Sequence, residues 1–306
     1  MGAWLGSFLY GVPMSQIHAV SIRKLGSHRG CPRVWMQGRL PASAGFQPQT
    51  RFAAVKDTER MKLTLRINPE GDRMVSRKLK DEKLVPVIDI NSAEVLAMFE
   101  GLDHIRVIFR DGEISIEAIA SEQRTKERLE RVKEKLATGA PLTVGSFSHG
   151  GGILDKAIHD GFALGGIRTK LSLANDIREE LLEHSSSVNP IWDEQTIHLA
   201  APLQELAFDH EVMMSLPQCD IVTAGLPCEA SSKSGRAKNA TSCAEEHPKV
   251  GHLIVGFLAS IARLNPLLAI LENVQPWANT ASMHLLRNQL RDFGYELHET
   301  VVDSGE

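Results

Sequence analysis

No run of about 18 apolar residues occurs anywhere in the 306-residue chain, so no membrane-spanning helix is expected. The opening MGAWLGSFLYGVPM is apolar but lacks a basic n-region and a cleavage site, which argues against a secretory signal. Residues 1–32 are therefore expected to be a disordered leader, with Met14 a candidate later start. The four cysteines, Cys31, Cys219, Cys228 and Cys243, form no CxxC pair. That excludes a zinc ribbon or a redox dithiol, predicts no metal site, and suits a reducing cytoplasm with at most one functional thiol. No internal repeat is visible.

The composition is 42% hydrophobic and 24% charged, as in ordinary globular proteins. Charge is divided unevenly. Residues 1–140 carry 23 Lys+Arg against 17 Asp+Glu, and residues 141–306 carry 11 against 21. The first part could favour a polyanion; the second would repel one on average.

Residues 33–120 read as a small β-rich domain. Runs such as RFAAV, MKLTLRI, VPVIDI, IRVIF and EISIEAI are separated by turn signals at Pro69-Glu70-Gly71-Asp72 and Asp111-Gly112. A short helix is expected around Ser92 to Glu100. Residues 121–140 read as a charged helical connector, its i,i+4 charges suggesting a solvated element. From residue 141 strands and helices alternate: LTVGSF, GGILDKAIHDG closed by Gly161, TKLSLAND, IREELLEHSS, CDIVTAG, an amphipathic helix ending at Asn265-Pro266, LLAILENV, SMHLLRNQLRDFG and a final strand in YELHETVV. The expected fold class is α/β, a Rossmann-like doubly wound sheet over 141–306 preceded by the β-rich domain.

Four features fall at carboxyl ends of predicted strands, the edge where open α/β sheets bind ligands. SFSHGGG is a glycine-rich turn into a helix, although it does not match GxGxxG and such turns often merely connect elements. Asp176 is placed to bond ribose hydroxyls, or equally to cap the following helix. Cys228 follows Pro227 at the mouth of a loop carrying Ser231, Lys233, Arg236 and Lys238. Glu272 ends an apolar strand, where a carboxylate is costly without a partner or a proton to handle. A thiol and a carboxylic acid beside a nucleoside-type cofactor point to covalent catalysis on an electrophilic ring.

GLPCEASS, with ENV beginning forty-four residues after its Cys and FSHGGG before both, resembles the DNA (cytosine-5) methyltransferases. The resemblance covers about Leu142 to Val302. It implies S-adenosyl-L-methionine as cofactor and double-stranded DNA as substrate, with the target base flipped out of the stack. It makes Cys228 the nucleophile at cytosine C6 and Glu272 the group engaging N3, with Asn273 and Pro227 shaping the two loops. Phe147, Ser148, His149, Gly150, Gly151, Gly152, Asp176, Ile177 and Leu253 would line the cofactor, and Ser231, Lys233, Arg236 and Lys238 would face DNA. His149 stands where the family has glycine and Ile177 where an aromatic is common. No Gly-Asp pair follows in HLAAPLQEL, where Leu203 or Gln204 would substitute. The family continues with an arginine-bearing motif, a target recognition domain and a last helix beyond the position of Glu306. The resemblance therefore implies a truncated catalytic domain, with a separate chain as one source of the recognition domain.

The first domain resembles the SymE-type and AbrB-like small β domains, implying a nucleic-acid-binding or dimerising module. Two other readings stand beside methyl transfer. One is an inactive remnant or a nucleic-acid-binding regulator acting through the first domain; the other is a nucleotide-dependent oxidoreductase in which Cys228 is incidental.

Overall fold

The computed structural model describes residues 16–80, 82–229 and 242–302. The chain divides into two units, Met1–Gln123 and Arg124–Glu306.

The first unit is built mainly of strands. Its elements are β1 (Ile17–Lys24), β2 (Gly26–His28), β3 (Cys31–Gln37), a short helix α1 (Arg39–Ser43), β4 (Arg51–Asp57), β5 (Lys62–Ile67), β6 (Arg73–Met74), β7 (Ser76–Lys80), β8 (Lys83–Ile90), α2 (Ala93–Leu96), β9 (His104–Arg110) and β10 (Glu113–Ala118). A six-stranded sheet in the order β1-β9-β10-β5-β4-β6 and a four-stranded sheet β2-β3-β8-β7 share one core. Val34, Met36, Ile88 and Ile90 of the smaller sheet pack with Leu63, Leu65, Val107, Phe109, Ile114 and Ile116 of the larger. Each set alternates along its strand, so the residues between them lie on the opposite face of each sheet. On the larger sheet that outer face is a lattice of ion pairs, Arg106 and Lys62 to Glu117 and Arg66 to Glu113.

The leader expected over 1–32 is corrected for residues 16–32; residues 1–15 lie outside the described residues. Strand β1 pairs antiparallel with β9 from Ile17↔Arg110 to Lys24↔His104. As an edge strand it leaves Val20 and Ile22 more than half exposed. It therefore gives no strong alternation of buried apolar residues in sequence.

The second unit opens with α3 (Ala120–Thr138) and runs through β11 (Leu142–Phe147), α4 (Ile153–Leu164), β12 (Thr169–Asp176), α5 (Glu179–Val188), β13 (Ile197–Ala200), α6 (Leu203–Phe208), α7 (His210–Ser215), β14 (Ile221–Ala224), α8 (Leu253–Leu264), β15 (Leu268–Leu271) and α9 (Ala281–Asp292). Its sheet is parallel throughout, in the order β13-β12-β11-β14-β15. Apolar clusters cover both faces, one built around Phe147, Phe257, Ile261 and Leu286, the other around Val132, Val144, Leu171 and Leu182. This is the expected doubly wound arrangement. The chain winds outward from β11 to β13, then returns to β14 on the other side of β11. The crevice between β11 and β14 is thus the switch point where such folds bind ligands.

Three details differ from the sequence expectations. Helix α4 passes through Gly161 and stops at Leu164, before Gly165 and the left-handed Gly166 (φ 74°). One helical glycine costs only about 1 kcal/mol, and Phe162 beyond it packs into the core. Residues 295–302 form no strand: Leu297, Val301 and Val302 are exposed. Tyr295 is instead held by its hydroxyl, which donates to Pro266 O at 2.6 Å, and by the Arg128 guanidinium 3.7 Å over its ring.

The third concerns α3, which is no solvated connector. Arg128, Arg131 and Lys135 share one helical face at 3- and 4-residue spacing. Arg128 is 3% exposed and donates to Phe293 O and Gly294 O. Arg131 and Lys135 converge on Asp220, which is fully buried just before β14.

Candidate active site

Residues Phe147 to Gly152 make the turn from β11 into α4. Ser148 (φ 51°), Gly150 (φ 56°) and Gly152 (φ 72°) are left-handed. The serine is the costly member, since a side chain there is disfavoured by about 1–2 kcal/mol. A Cβ added at Gly150 or Gly151 would meet nothing within 4 Å, so the outer side of the turn is open. Gly152 is enclosed: a Cβ would lie 2.6 Å from His149 Nε2 and 2.7 Å from Asn189 Nδ2.

What holds this turn is a buried polar network that the sequence did not reveal. His149, expected to face the cofactor, has a side chain that is 0% exposed and points into the fold. Its Nδ1 lies 2.9 Å from an Asp155 carboxylate oxygen and 3.0 Å from Ser146 Oγ. Ser146 spends its own proton on Asp155 at 2.7 Å, so His149 Nδ1 carries the hydrogen it donates. Its Nε2 lies 2.9 Å from Ser185 Oγ, which also accepts from Trp192 Nε1 at 2.9 Å. Thr223 Oγ1 of β14 donates to the second Asp155 oxygen. Burial pushes the Asp155 carboxyl up, but the bonds from His149, Thr223 and Ser146 together hold it below the usual carboxylate range. His149 is thus a support beneath the turn.

Phe147 likewise belongs to the core, 2% exposed and edge-to-face with Phe257 at 6.2 Å. Asp176 closes β12, largely buried; Gly150 N donates to its Oδ2 at 2.8 Å and Arg178 N to its Oδ1 at 3.0 Å. It braces the glycine turn and bonds the chain two residues on, just before α5; the expected capping role is not met, since the N-cap of that helix is Arg178, with no side-chain cap bond. Ile177 beside it is 68% exposed at the same edge.

Across the switch point, β14 leads into Gly225-Leu226-Pro227-Cys228. Gly225 N donates to Phe147 O at 3.3 Å, and a Cβ there would be 3.7 Å from Ser148 O, so this strand end runs directly beside the glycine turn. The neighbouring β15 leads into Glu272-Asn273. Glu272 N donates to Ala224 O at 3.0 Å, and Asn273 Nδ2 donates to Leu226 O at 3.0 Å. The loops that carry Cys228 and Glu272 are therefore bonded to each other. Cys228 is half-buried, and Glu272 is exposed to solvent. The burial cost expected for that carboxylate is absent. Leu253, at the start of α8, lines a cavity of about 20 Å³ with Leu226, Pro227 and Trp277. Ser231, Lys233, Arg236 and Lys238 lie outside the described residues. Leu203, at the start of α6, is core, and Gln204 beside it is half-buried.

The other thiols contrast with Cys228. Burial, with the Asp220 charge adding to it, pushes the Cys219 thiol up to about 12. Cys31 is half-buried and Cys243 exposed. Alkylation of the folded protein at pH 8 is expected to spare Cys219 and label the other three; peptide mass mapping checks it, and early labelling of Cys219 would contradict the burial argument.

A groove of about 700 Å³ lies at the opposite, amino-terminal end of the strands, bordered by Pro141, Thr169, Lys170 and Trp192. It contains none of the candidate residues.

One family match includes part of this edge. The family model for C-5 cytosine-specific DNA methylase matches residues 174–306. That stretch takes in Asp176, Cys228 and Glu272 and leaves out the glycine turn. The type II methyltransferase M.MspI of Moraxella sp is 31% identical over 93 residues, 29% of this chain and 21% of that protein. The match thus spans about a fifth of the curated relative's length. A solved Pyrococcus horikoshii structure, described as a candidate RNA methyltransferase, is 12% identical with a TM-score of 0.33, over 56% of this chain and 66% of that one. A likeness that low carries no argument.

Proposed function

We propose that the second unit transfers a methyl group to C5 of cytosine in double-stranded DNA, using Cys228 as a covalent nucleophile and S-adenosyl-L-methionine as methyl donor. The observation that carries the reading is the bonding of the Cys228 and Glu272 loops through Asn273 and Leu226, beside the glycine turn at the switch point. The C-5 cytosine methylase match over 174–306 supports the same chemistry.

The residues present fit the cofactor. Gly150 and Gly151 leave the outer side of the turn open, and each Asp176 oxygen accepts one backbone bond and keeps a further lone pair for a ribose hydroxyl. Ile177 offers an exposed apolar surface at the same edge for a base. When bound there, S-adenosylmethionine supplies an electrophilic methyl group.

Cytosine C5 is a poor nucleophile. Addition of the Cys228 thiolate to C6 breaks the C5–C6 double bond and moves its electron pair toward C5 and the N3 side of the ring. Glu272, engaging N3 through a shared proton, stabilises that charge. After C5 has gained its methyl group, loss of the C5 proton returns the electrons and expels the thiolate. The target atoms lie inside the stack, so the base is flipped out to reach Cys228. Pro227 and Asn273 set the two loops without touching the reacting atoms.

In duplex DNA carrying 5-fluorocytosine the C5 fluorine cannot leave as a proton does, so the adduct persists. With S-adenosylmethionine present, the wild-type chain should give a denaturation-resistant protein–DNA species, and Cys228→Ala should give none. A folded, cofactor-binding chain that forms no adduct would favour the non-catalytic reading instead.

A further inference from the structure

The outer face of the four-stranded sheet in the first unit is not used by this chemistry. Its composition follows from register. In β8, Pro86, Ile88 and Ile90 are buried, so Lys83, Val85, Val87 and Asp89 face outward. Antiparallel pairing places Lys80 opposite Lys83, Lys78 opposite Val85 and Ser76 opposite Val87 on one side. On the other side it places Gln37 opposite Val87 and Trp35 opposite Asp89. Cross-strand partners share a face. The result is a floor of half-buried Val85 and Val87, with Trp35 at one end and Lys78, Lys80 and Lys83 at the other, about 20 Å apart at ~3.3 Å per residue.

Two features set this face apart. Trp35 is 41% exposed on a sheet surface, where an indole of that size is normally covered. Lys78, Lys80 and Lys83 are exposed and, among the described residues, belong to no ion pair, whereas Lys62, Arg66 and Arg106 on the six-stranded sheet are each paired with Glu113 or Glu117. Arg33 is neutralised by Asp89 in a bidentate pair, and Glu82 in the β7–β8 turn is the described acid nearest the lysines in sequence.

We infer that this face binds a single nucleic-acid strand, its phosphates on Lys78, Lys80 and Lys83 and a base stacked on Trp35. An aromatic platform on the same face as three exposed lysines that belong to no described ion pair offers both components a strand needs: every base has a π-face, and every linkage has a charge. A second copy of the chain fits less well, because a two-fold contact through this face would bring like charges together. The inference concerns the first unit and is independent of methyl transfer by the second.

The test is fluorescence anisotropy with the full-length chain, without cofactor, across a salt series. The probe is labelled oligothymidylate of about 20 nucleotides, longer than the roughly 4–16-nucleotide sites usual for such platforms; oligouridylate and a duplex of the same length distinguish RNA, single-stranded DNA and duplex. A single strand should bind with strong salt dependence. Replacing the three lysines together, Lys78→Gln, Lys80→Gln and Lys83→Gln, should reduce the slope of log K against log salt by about 2, at ~0.7 per phosphate contact. Trp35→Ala should weaken binding about tenfold. Arg60→Gln, in the β4–β5 turn away from this face, should change neither and controls for lost charge. The inference is overturned by no single-strand binding, by a triple variant with wild-type affinity and slope, or by self-association that the triple variant abolishes. Loss of adduct formation in the 5-fluorocytosine assay would sink the methyl-transfer reading and leave this one standing.

Discussion

Asp220→Ala is expected to destabilise the second unit by about 3–5 kcal/mol, the range seen when one partner of a buried charge cluster is removed. Asp220 has no exposed side-chain surface and accepts from Arg131 Nε at 2.8 Å, Lys135 Nζ at 2.5 Å, Thr143 N at 2.8 Å and Thr143 Oγ1 at 2.9 Å. Truncation leaves two cations of α3 facing each other and the start of β11 without an acceptor. Arg131 keeps its bonds to Gln218, Cys219 O and Asn265 O, so the cost falls chiefly on Lys135 and Thr143. Burial pushes the Asp220 carboxyl up, but Lys135, the Thr143 backbone and Arg131 outweigh it, and the folded-state value lies below the usual one. A depressed carboxylate contributes stability above its unfolded value near 3.9, lost as pH falls through the folded value. The wild type should therefore lose stability steeply below about pH 4, and Asp220→Asn should flatten that part of the profile. Hydrogen exchange of β11 and β14 peptides against urea at several pH values checks both. Wild-type protection of β11 in Asp220→Ala would show that the cluster does not hold α3 to the sheet.

That cluster also shows where sequence reading stops. The parallel strands β11 and β12 are legible to the residue, because LTVGSF and TKLSLAND are short segments with Leu, Val and Phe spaced for a strand and bounded by turn signals. The candidate Cys228 and Glu272 are legible because a strand's carboxyl end is a local property. Arg131 and Asp220 are 89 positions apart. No periodicity connects them, so α3 reads as a solvated charged helix when one of its faces is buried. The same holds for His149. In sequence it stands in a glycine turn and looks like part of the cofactor lining; only the arrival of Asp155 one turn into α4 and Ser185 from α5 draws its ring inward. Edge strands are hidden for the opposite reason: β1 buries too little to leave a pattern.

The second large effect concerns that ring. Asp155→Ala should both destabilise the second unit by about 3–5 kcal/mol and weaken S-adenosylmethionine binding at least tenfold. The carboxylate is 2% exposed and collects bonds from three elements: Ser146 of β11, Thr223 of β14 and His149 of the turn. Without it, each of these buried donors is stranded, at about 1–3 kcal/mol apiece. His149 then has no reason to keep its Nδ1 hydrogen inward, and Gly152, whose missing Cβ would sit 2.6 Å from that ring, loses the wall that fixes its left-handed conformation. Asp155→Asn separates the two consequences. With its carbonyl at the Oδ2 position it still accepts from Ser146 Oγ and His149 Nδ1, while its NH₂ meets Thr223 Oγ1, whose hydroxyl turns from donor to acceptor. His149 keeps its Nδ1 hydrogen inward, and Ser185 keeps its contact with Nε2. The turn should hold its shape through that exchange, so Asp155→Asn should lose stability, through the lost charge and the altered Thr223 bond, out of proportion to cofactor affinity. Calorimetric titration with S-adenosylmethionine, set against urea midpoints, reads the two separately. Equal proportional losses in both variants would make the network purely structural. An unaltered affinity in Asp155→Ala would show that the glycine turn holds its shape without support from below.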